Sequence, residues 1–460
     1  MKIKLLSLLL VLVVLLLCSC GKEDDGKKKY DTVYLNVYNW GQYISNEDDE
    51  ESGLFDVNEA FEKYFNENLA DKYGFYVKVN YSTYENNESM YSKLSTSAVA
   101  YDVIVPSDYM IQKMIDENRL MPLDYSILTN YGNINEDFKN AYYDPENKYS
   151  VPYTYGMVGI IYNSEFIKEE EEPDVQNESW ALLWNKKYAG KILQFNNPRD
   201  AFASAMFYAE VANGKAIDIN SHNYADWDEA LGLLKEQKSI LQAYVNDEIF
   251  NKMKGASAYA AAYYAGDFLT MAAGNSDLRF YYPKEGTNYF VDAFCIPKND
   301  GKDENSPNYK AANEYINYMI GREAATANAL YIGYASPNKA VVEYDHYINK
   351  LDFNYSIYDG DEEDAECIID AYEVLYGKTM AEAKAKAYEK YFVDKEKEID
   401  VQVYVNELWE SLKTENSTEP WIHVTSITIV IGVVSLTIYD QYIKKKRSQH
   451  YRLRDKAKKV

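Results

Sequence analysis

Cysteine is scarce in this sequence: Cys18, Cys20, Cys295 and Cys367 are the four among 460 residues. So few sulfurs exclude the disulfide framework that staples small secreted domains. One remote pair, Cys295 with Cys367, stays open. Cys295 lies in the apolar strand pattern Phe294-Cys295-Ile296 and reads as core. The four histidines are scattered and have no zinc-ligand spacing, so no metal site is expected. There is no Gly-rich phosphate loop, no G-x-S-x-G elbow and no internal repeat. Nucleotide chemistry, serine-hydrolase chemistry and a solenoid thereby lose their usual signatures, and no cofactor is expected.

Positive charge is also in deficit, and what there is collects at the ends. Lys and Arg number 48 against 73 Asp and Glu, a net charge of −25. The tail from Asp440 holds nine Lys/Arg and two Asp, and Lys2 and Lys4 add two positive charges, which leaves −34 on residues 5–439. Such a surface repels nucleic acid and attracts cations from a distance, although much of an acidic surface serves only solubility. Tyrosine is abundant, with 47 residues. Enrichment alongside Asn and Lys points to genome composition, so a tyrosine is not a site by itself.

The two ends speak of export. A basic start, Met1-Lys2-Ile3-Lys4, precedes an apolar run from Leu5 to Leu17 broken only by Ser7. A run too short to span a bilayer, after a basic start, is a secretory signal peptide. Its end, Leu17-Cys18-Ser19-Cys20-Gly21, resembles a bacterial lipobox, in which Cys20 becomes the lipidated N-terminus. The alternative is an ordinary signal peptide cut near Ser19. Residues 421–439 carry no charge but His423, about the length that crosses a hydrocarbon core. Lys444 to Arg447 follow, and dense basic charge past an apolar span marks the cytoplasmic side. The sequence therefore predicts a transmembrane helix over 421–443 and a basic cytoplasmic tail over 444–460, with a buried C-terminal helix as the plainer alternative.

Between these ends, about 400 residues suffice for two domains. Residues 21–30 read as a charged tether. Alternating Val33, Leu35 and Val37 predict a strand, residues 56–73 a helix with Phe61, Tyr64 and Phe65 on one face, residues 75–81 a second strand, 90–94 a helix and 102–105 a short buried strand. The second half repeats the pattern: helix 224–238, strand 258–264, strand 289–296, helix 308–320. Residues 46–52 and 169–172 read as acidic surface loops. Strands alternating with helices predict an α/β fold with a largely parallel sheet. Ligands of such sheets bind beyond the carboxyl ends of the strands.

Those strand ends gather two residue types. Trp40, Tyr43, Tyr109, Tyr264, Phe290 and Tyr334 are aromatic; Asp200, Asp267 and Asp292 are carboxylates. Aromatic faces attract cations by about 0.5–2 kcal/mol each, and carboxylates take ammonium groups through charge-assisted hydrogen bonds. An aromatic slot closed by acids suits a slender organic polycation, although each aromatic taken singly is more often core than ligand.

A resemblance adds to this reading. Val37-Tyr38-Asn39-Trp40-Gly41-Gln42-Tyr43, Tyr81-Ser82-Thr83-Tyr84-Glu85, Met90-Tyr91-Ser92-Lys93-Leu94, Tyr101 through Tyr109, Tyr149-Ser150-Val151-Pro152-Tyr153, Trp180 through Trp184, Tyr282-Pro283-Lys284-Glu285-Gly286 and Ile332-Gly333-Tyr334-Ala335-Ser336-Pro337-Asn338 resemble the spermidine/putrescine-binding proteins of polyamine ABC transporters. The likeness runs in order over roughly residues 33–340 and leaves the predicted membrane helix outside it. It implies a periplasmic-binding-protein fold of type II: two α/β lobes joined by two chain crossings with the ligand between them. The lobes are expected at 31–155 plus 288–338 and at 156–287 plus 339–417. Carried over by position, the family's ligand residues are Trp40, Tyr43, Ser107, Tyr109, Asn197, Asp200, Tyr264, Phe290, Asp292 and Tyr334. Tyr264 stands where the family usually has Trp, Gly41 where spermidine binders often have a hydroxyl, and Asn197 where a second acid can stand. Tyr264-Ala265-Gly266-Asp267 resembles the W-x-G-D pattern of putrescine binders. Asp267 reads either as a ligand or as the N-cap of a helix from Phe268.

The expectation is a monomeric extracytoplasmic receptor that closes on putrescine or spermidine and hands it to a permease, performing no chemistry. Its rivals are the same fold with another small solute, a cell-surface hydrolase using paired carboxylates, and a structural surface protein with a vestigial cleft.

Overall fold

A computed structural model describes residues 29–96, 100–299, 303–359, 366–388, 393–394 and 399–414. In chain order the principal strands are β1 (Asp31–Trp40), β2 (Phe75–Tyr84), β3 (Val103–Ile104), β4 (Ser150–Asn163), β5 (Ile192–Phe195), β6 (Leu241–Val245), β7 (Ala260–Tyr264), β8 (Leu278–Tyr281) and β9 (Thr287–Cys295). Helices separate most of them, as the alternating pattern predicts. Two compact units form. The first holds the described residues up to Gly156, with Ala265–Ala273 and the described residues of Phe290–Gly377; the second holds Met157–Tyr264, Gly274–Tyr289 and the described residues from Lys378 onward.

In the first unit β1 lies between β2 and β3, parallel to both, and pairs with β2 from Asp31↔Phe75 to Trp40↔Tyr84. Cys295 of β9 pairs antiparallel with Ile104. The period of two buries Leu35 and Val37 completely. The helix Val57–Asn68 starts where Asp56 accepts from the amides of Asn58 and Glu59, a side-chain cap on free N–H groups. It buries Val57, Phe61 and Phe65 at helical spacing, and burying each of these side chains contributes about 1.5–3 kcal/mol. The single helix expected over 56–73 breaks at Leu69. A short turn, Ala70–Tyr73, follows and ends at Gly74, whose φ of 78° is the left-handed conformation that lets β2 begin one residue later.

In the second unit β7 runs parallel to β5, and β5 parallel to β6. β4 runs antiparallel to β7, pairing through Val158↔Tyr264, and β8 runs antiparallel to β4, pairing through Ile160↔Tyr281. The helix Pro198–Asn213 begins with proline at its first position, where the missing N–H costs nothing. The helix Tyr224–Lys238 lies where the sequence places it.

Residues 265–273 and the described residues of 339–377 group with the first unit, whereas the sequence reading put them in the second lobe. Side-chain hydrogen bonds hold the later segment. Tyr347 and Leu351 of the helix Asp345–Tyr355 are fully buried. The Tyr347 hydroxyl lies 2.8 Å from that of Tyr376, and Tyr376 Oη accepts from the Ser336 amide at 2.9 Å.

The expected architecture is corrected in one respect. No helix among the described residues is long and apolar enough to cross a membrane. The longest, Pro198–Asn213, has 16 residues, short of the roughly 20 a bilayer core requires. The α/β fold thus stands without the transmembrane helix expected over 421–443. That segment lies outside the described residues, as do the tail 444–460, the signal peptide and Cys20. Cys295 is buried and Cys367 exposed, and both are free thiols.

Candidate ligand-binding site

The first unit assembles eight of the expected residues. Trp40 ends β1 opposite Tyr84 of β2, and both side chains are fastened to one acceptor. Trp40 Nε1 donates to the Val105 carbonyl at 2.9 Å, and the Tyr84 hydroxyl donates to the same oxygen at 2.6 Å. Their rings lie 4.8 Å apart. Parallel pairing of β1 with β2 and β3 makes this possible, because it brings three strand ends side by side. Trp40 stays half-buried.

Tyr43 follows the turn after β1 and is buried. Its carbonyl accepts from the Tyr153 hydroxyl at 2.8 Å, and its own hydroxyl donates to Asp292 Oδ2 at 2.6 Å. Asp292, on β9, is 3% exposed. Burial pushes its carboxyl up from an ordinary 3.8 to about 6, against the opposing pull of the Ser107 and Tyr43 hydroxyls. Burial, and then the charge of Asp292, raises the Tyr43 phenol well above its usual range, so Tyr43 keeps its proton and remains a donor. Asp292 Oδ1 is buried with no hydrogen-bond partner.

Ser107 pairs with Asp292 through an antiparallel bridge, which fixes the P-S-x-Y turn against β9. Ser107 and Tyr109 are linked by a residue the sequence reading missed. Asn87 Nδ2 donates to Ser107 Oγ at 3.0 Å and to Tyr109 Oη at 2.9 Å, and the Tyr109 hydroxyl donates to Glu88 at 3.1 Å. Asn87 sits at the start of a helix with no motif around it, so no sequence signal marked it.

Tyr334 follows Gly333, whose left-handed φ of 75° ends the helix Arg322–Ile332. The Tyr334 ring stands edge-on to Tyr43 at 6.1 Å and to Phe290 at 5.7 Å. Its hydroxyl donates to Asp267 Oδ2 at 2.6 Å. Asp267 is the third residue of the helix Ala265–Ala272, not a cap preceding it. Gly266 permits this arrangement: a Cβ there would lie 1.8 Å from Tyr334 Cδ1.

The remaining three expected residues form a separate cluster inside the second unit. Asn197 caps the helix Pro198–Asn213 by accepting from the Asp200 amide. Asn197 Nδ2 and the Tyr264 hydroxyl each donate to Asp200 Oδ2 at 2.8 Å. Asn288 Nδ2 donates to Oδ1 at 2.8 Å. The Tyr388 hydroxyl lies 3.2 Å from Oδ1 and 3.0 Å from the Arg199 carbonyl, sharing one proton between them. Asn288 and Tyr388 were not foreseen; Tyr388 comes from a segment far along the chain with no recognisable motif.

The first-unit cluster is therefore a row of neighbouring aromatic side chains with three tyrosine–carboxylate pairs, Tyr43–Asp292, Tyr109–Glu88 and Tyr334–Asp267, and the orphaned Oδ1 of Asp292. Chemically it fits a molecule that carries cationic hydrogen-bond donors and apolar carbon.

Comparison with known proteins agrees with this class. The chain belongs to the bacterial extracellular solute-binding proteins, whose family pattern matches residues 100–356. It is 30% identical over 324 residues to the spermidine/putrescine-binding periplasmic protein of Escherichia coli (strain K12), covering 70% of this chain and 81% of that one. The protein of the same description from Salmonella typhimurium is 32% identical over 312 residues, 67% of this chain and 78% of that one. Among solved structures, the spermidine/putrescine ABC transporter substrate-binding protein of Streptococcus pneumoniae superposes with a TM-score of 0.61 at 28% identity, covering 83% of this chain and 98% of that one.

Proposed function

We propose that the chain is an extracytoplasmic receptor for putrescine or spermidine that delivers its ligand to the permease of an ABC transporter. Family membership supports the receptor class, and the names of the relatives support the ligand class. The observation within this chain that carries the reading is Asp292. A carboxylate oxygen buried without a partner is costly, and the cost is relieved when a charged donor arrives. A primary ammonium group brings three N–H donors and a full positive charge. Trp40, Tyr43, Phe290 and Tyr334 then offer ring faces to the ammonium group and to its methylene chain. A neutral sugar would leave the carboxylate charge unanswered, which disfavours the nearest rival ligand. The receptor works as a single chain, held at the membrane through a lipid on Cys20, and catalyses no reaction.

Calorimetric titration of the purified protein with putrescine, spermidine, a neutral sugar and thiamine tests this. Saturable heat with a polyamine alone is expected. Absence of heat with every polyamine would remove the proposal.

A further inference from the structure

We infer that Asn87 is a positioning residue: it holds the Ser107 and Tyr109 hydroxyls side by side with their oxygens set to meet donors, and it acts on a ligand only through them. The inference rests on the polyamine reading and deepens it, since Asn87 lies outside the residues carried over by resemblance.

Two neighbouring asparagines divide the work at the start of the helix Asn87–Thr96. Asn86 is exposed and caps the helix, its Oδ1 accepting from the Ser89 amide at 2.8 Å. Asn87 is 2% exposed, and its side chain turns to the segment 107–109 instead. Its Oδ1 accepts from the Ser107 amide at 3.2 Å. Its Nδ2 donates to Ser107 Oγ at 3.0 Å and to Tyr109 Oη at 2.9 Å. A backbone N–H can only donate, so the amide oxygen must face Ser107 N and the two N–H groups must face the hydroxyls.

Ser107 carries the consequence. It stands at the N-cap of the helix Asp108–Asp116, where a serine hydroxyl ordinarily accepts from the first amides. Yet its side chain makes no capping bond. Asn87 holds that hydroxyl instead, and one nitrogen brings Ser107 Oγ and Tyr109 Oη together. A hydroxyl has one proton and two acceptor lone pairs. Each oxygen spends a lone pair on Asn87, so each proton must point elsewhere. That of Tyr109 goes to Glu88 Oε1 at 3.1 Å. The Ser107 hydroxyl is one of the two that pull the Asp292 carboxyl down. With the protons directed at carboxylates, the oxygens are left to meet N–H donors, the chemistry of an ammonium group. Every residue in this network belongs to the first unit.

Calorimetry with putrescine on the full chain, combined with a mutant cycle, tests this. Asn87→Ala is expected to lose at least about tenfold in affinity, the effect of two misplaced hydrogen bonds. In Ser107→Ala and in Tyr109→Phe, where one of its two contacts is already gone, the further loss from Asn87→Ala should be at least about threefold smaller, because residues acting as one network are not additive. Asn86→Ala is the control: it should lower the thermal midpoint by removing the cap while affinity stays within about threefold of wild type. Should Asn87→Ala fail to fold, Asn87→Ser takes its place in the same cycle, since its single proton cannot serve two oxygens. Wild-type affinity in the Asn87 variant, an equal loss in all three backgrounds, or as large a loss in Asn86→Ala would each overturn the inference while leaving polyamine binding intact. No heat from wild type with putrescine or spermidine would overturn the polyamine reading itself, and the inference with it.

Discussion

The hydroxyl of Tyr43 donates to Asp292 Oδ2 across 2.6 Å, joining residues 249 positions apart, and leaves Oδ1 of the same carboxylate buried and unanswered. Half of this carboxylate is satisfied by the fold and half is not. A fold optimised for stability alone would have placed an apolar or neutral residue there. The unsatisfied half ties the ligand-free protein's stability to pH.

Asp292 titrates near 6 when folded and near an ordinary 3.8 when unfolded. Between about pH 4 and 6 the folded chain holds a proton that the unfolded chain has released. Stability therefore falls as pH rises through that window and is lowest, for this group, above it. Asp292→Asn removes the effect. The ligand-free variant should equal wild type near pH 4 and exceed it at pH 7 by on the order of 2–3 kcal/mol, the free energy of a shift of about two units. Urea unfolding at the two pH values checks this.

Gly266→Ala should impair binding without touching any charged group. The added methyl would lie 1.8 Å from Tyr334 Cδ1 and 2.7 Å from the Gly333 carbonyl. Tyr334 must move, and its hydrogen bond to Asp267 goes with it. A loss of at least tenfold in putrescine affinity is expected, with destabilisation of about 1–3 kcal/mol from overpacking. Calorimetry and thermal unfolding measure the two separately.

Trp40→Ala should weaken polyamine binding at least tenfold, about 1.4 kcal/mol. Trp40→Phe keeps a ring but gives up the bond from Nε1 to Val105, and should fall between alanine and wild type. Glu170, in the exposed turn Glu169–Glu171, serves as the control: Glu170→Gln should leave affinity unchanged.

Asn197→Asp tests the helix start rather than the ligand site. The sequence alone suggests that an acid here adds a partner for a third amine. In the folded chain the Asn197 side chain is already engaged at both ends, capping a helix through Oδ1 and donating to Asp200 through Nδ2. Aspartate keeps the cap but sets two carboxylates face to face at hydrogen-bond distance. The variant should unfold at a lower temperature than wild type, and by a wider margin at pH 7 than at pH 5, where one of the two acids can hold a proton.

Much of this was legible from local pattern. Alternation marked β1 and β2, the break between apolar runs marked the helices, and strand-end aromatics and acids pointed to Trp40, Tyr43, Asp292 and Tyr334. Their pairing was not legible. Nothing in the sequence says that Tyr43 reaches Asp292 or that Tyr334 reaches Asp267, since hydroxyl–carboxylate partners 249 and 67 residues apart follow no period. Asn87, Asn288 and Tyr388 were missed for the same reason: each acts through side-chain polar atoms delivered by tertiary packing. Asp200 was visible as an acid but not as one whose lone pairs are spent. The break at Leu69 was hidden because the apolar face continues through it.

The central claim is that Asp292 meets an ammonium group, and calorimetry of Asp292→Asn with putrescine at pH 7.5 tests it most directly. The variant should lose at least tenfold in affinity while its ligand-free thermal midpoint holds or rises, and wild type should bind more weakly at pH 5, where Asp292 carries a proton, than at pH 7.5. Wild-type affinity in Asp292→Asn, with no dependence of wild-type binding on pH between 5 and 7.5, would contradict the account.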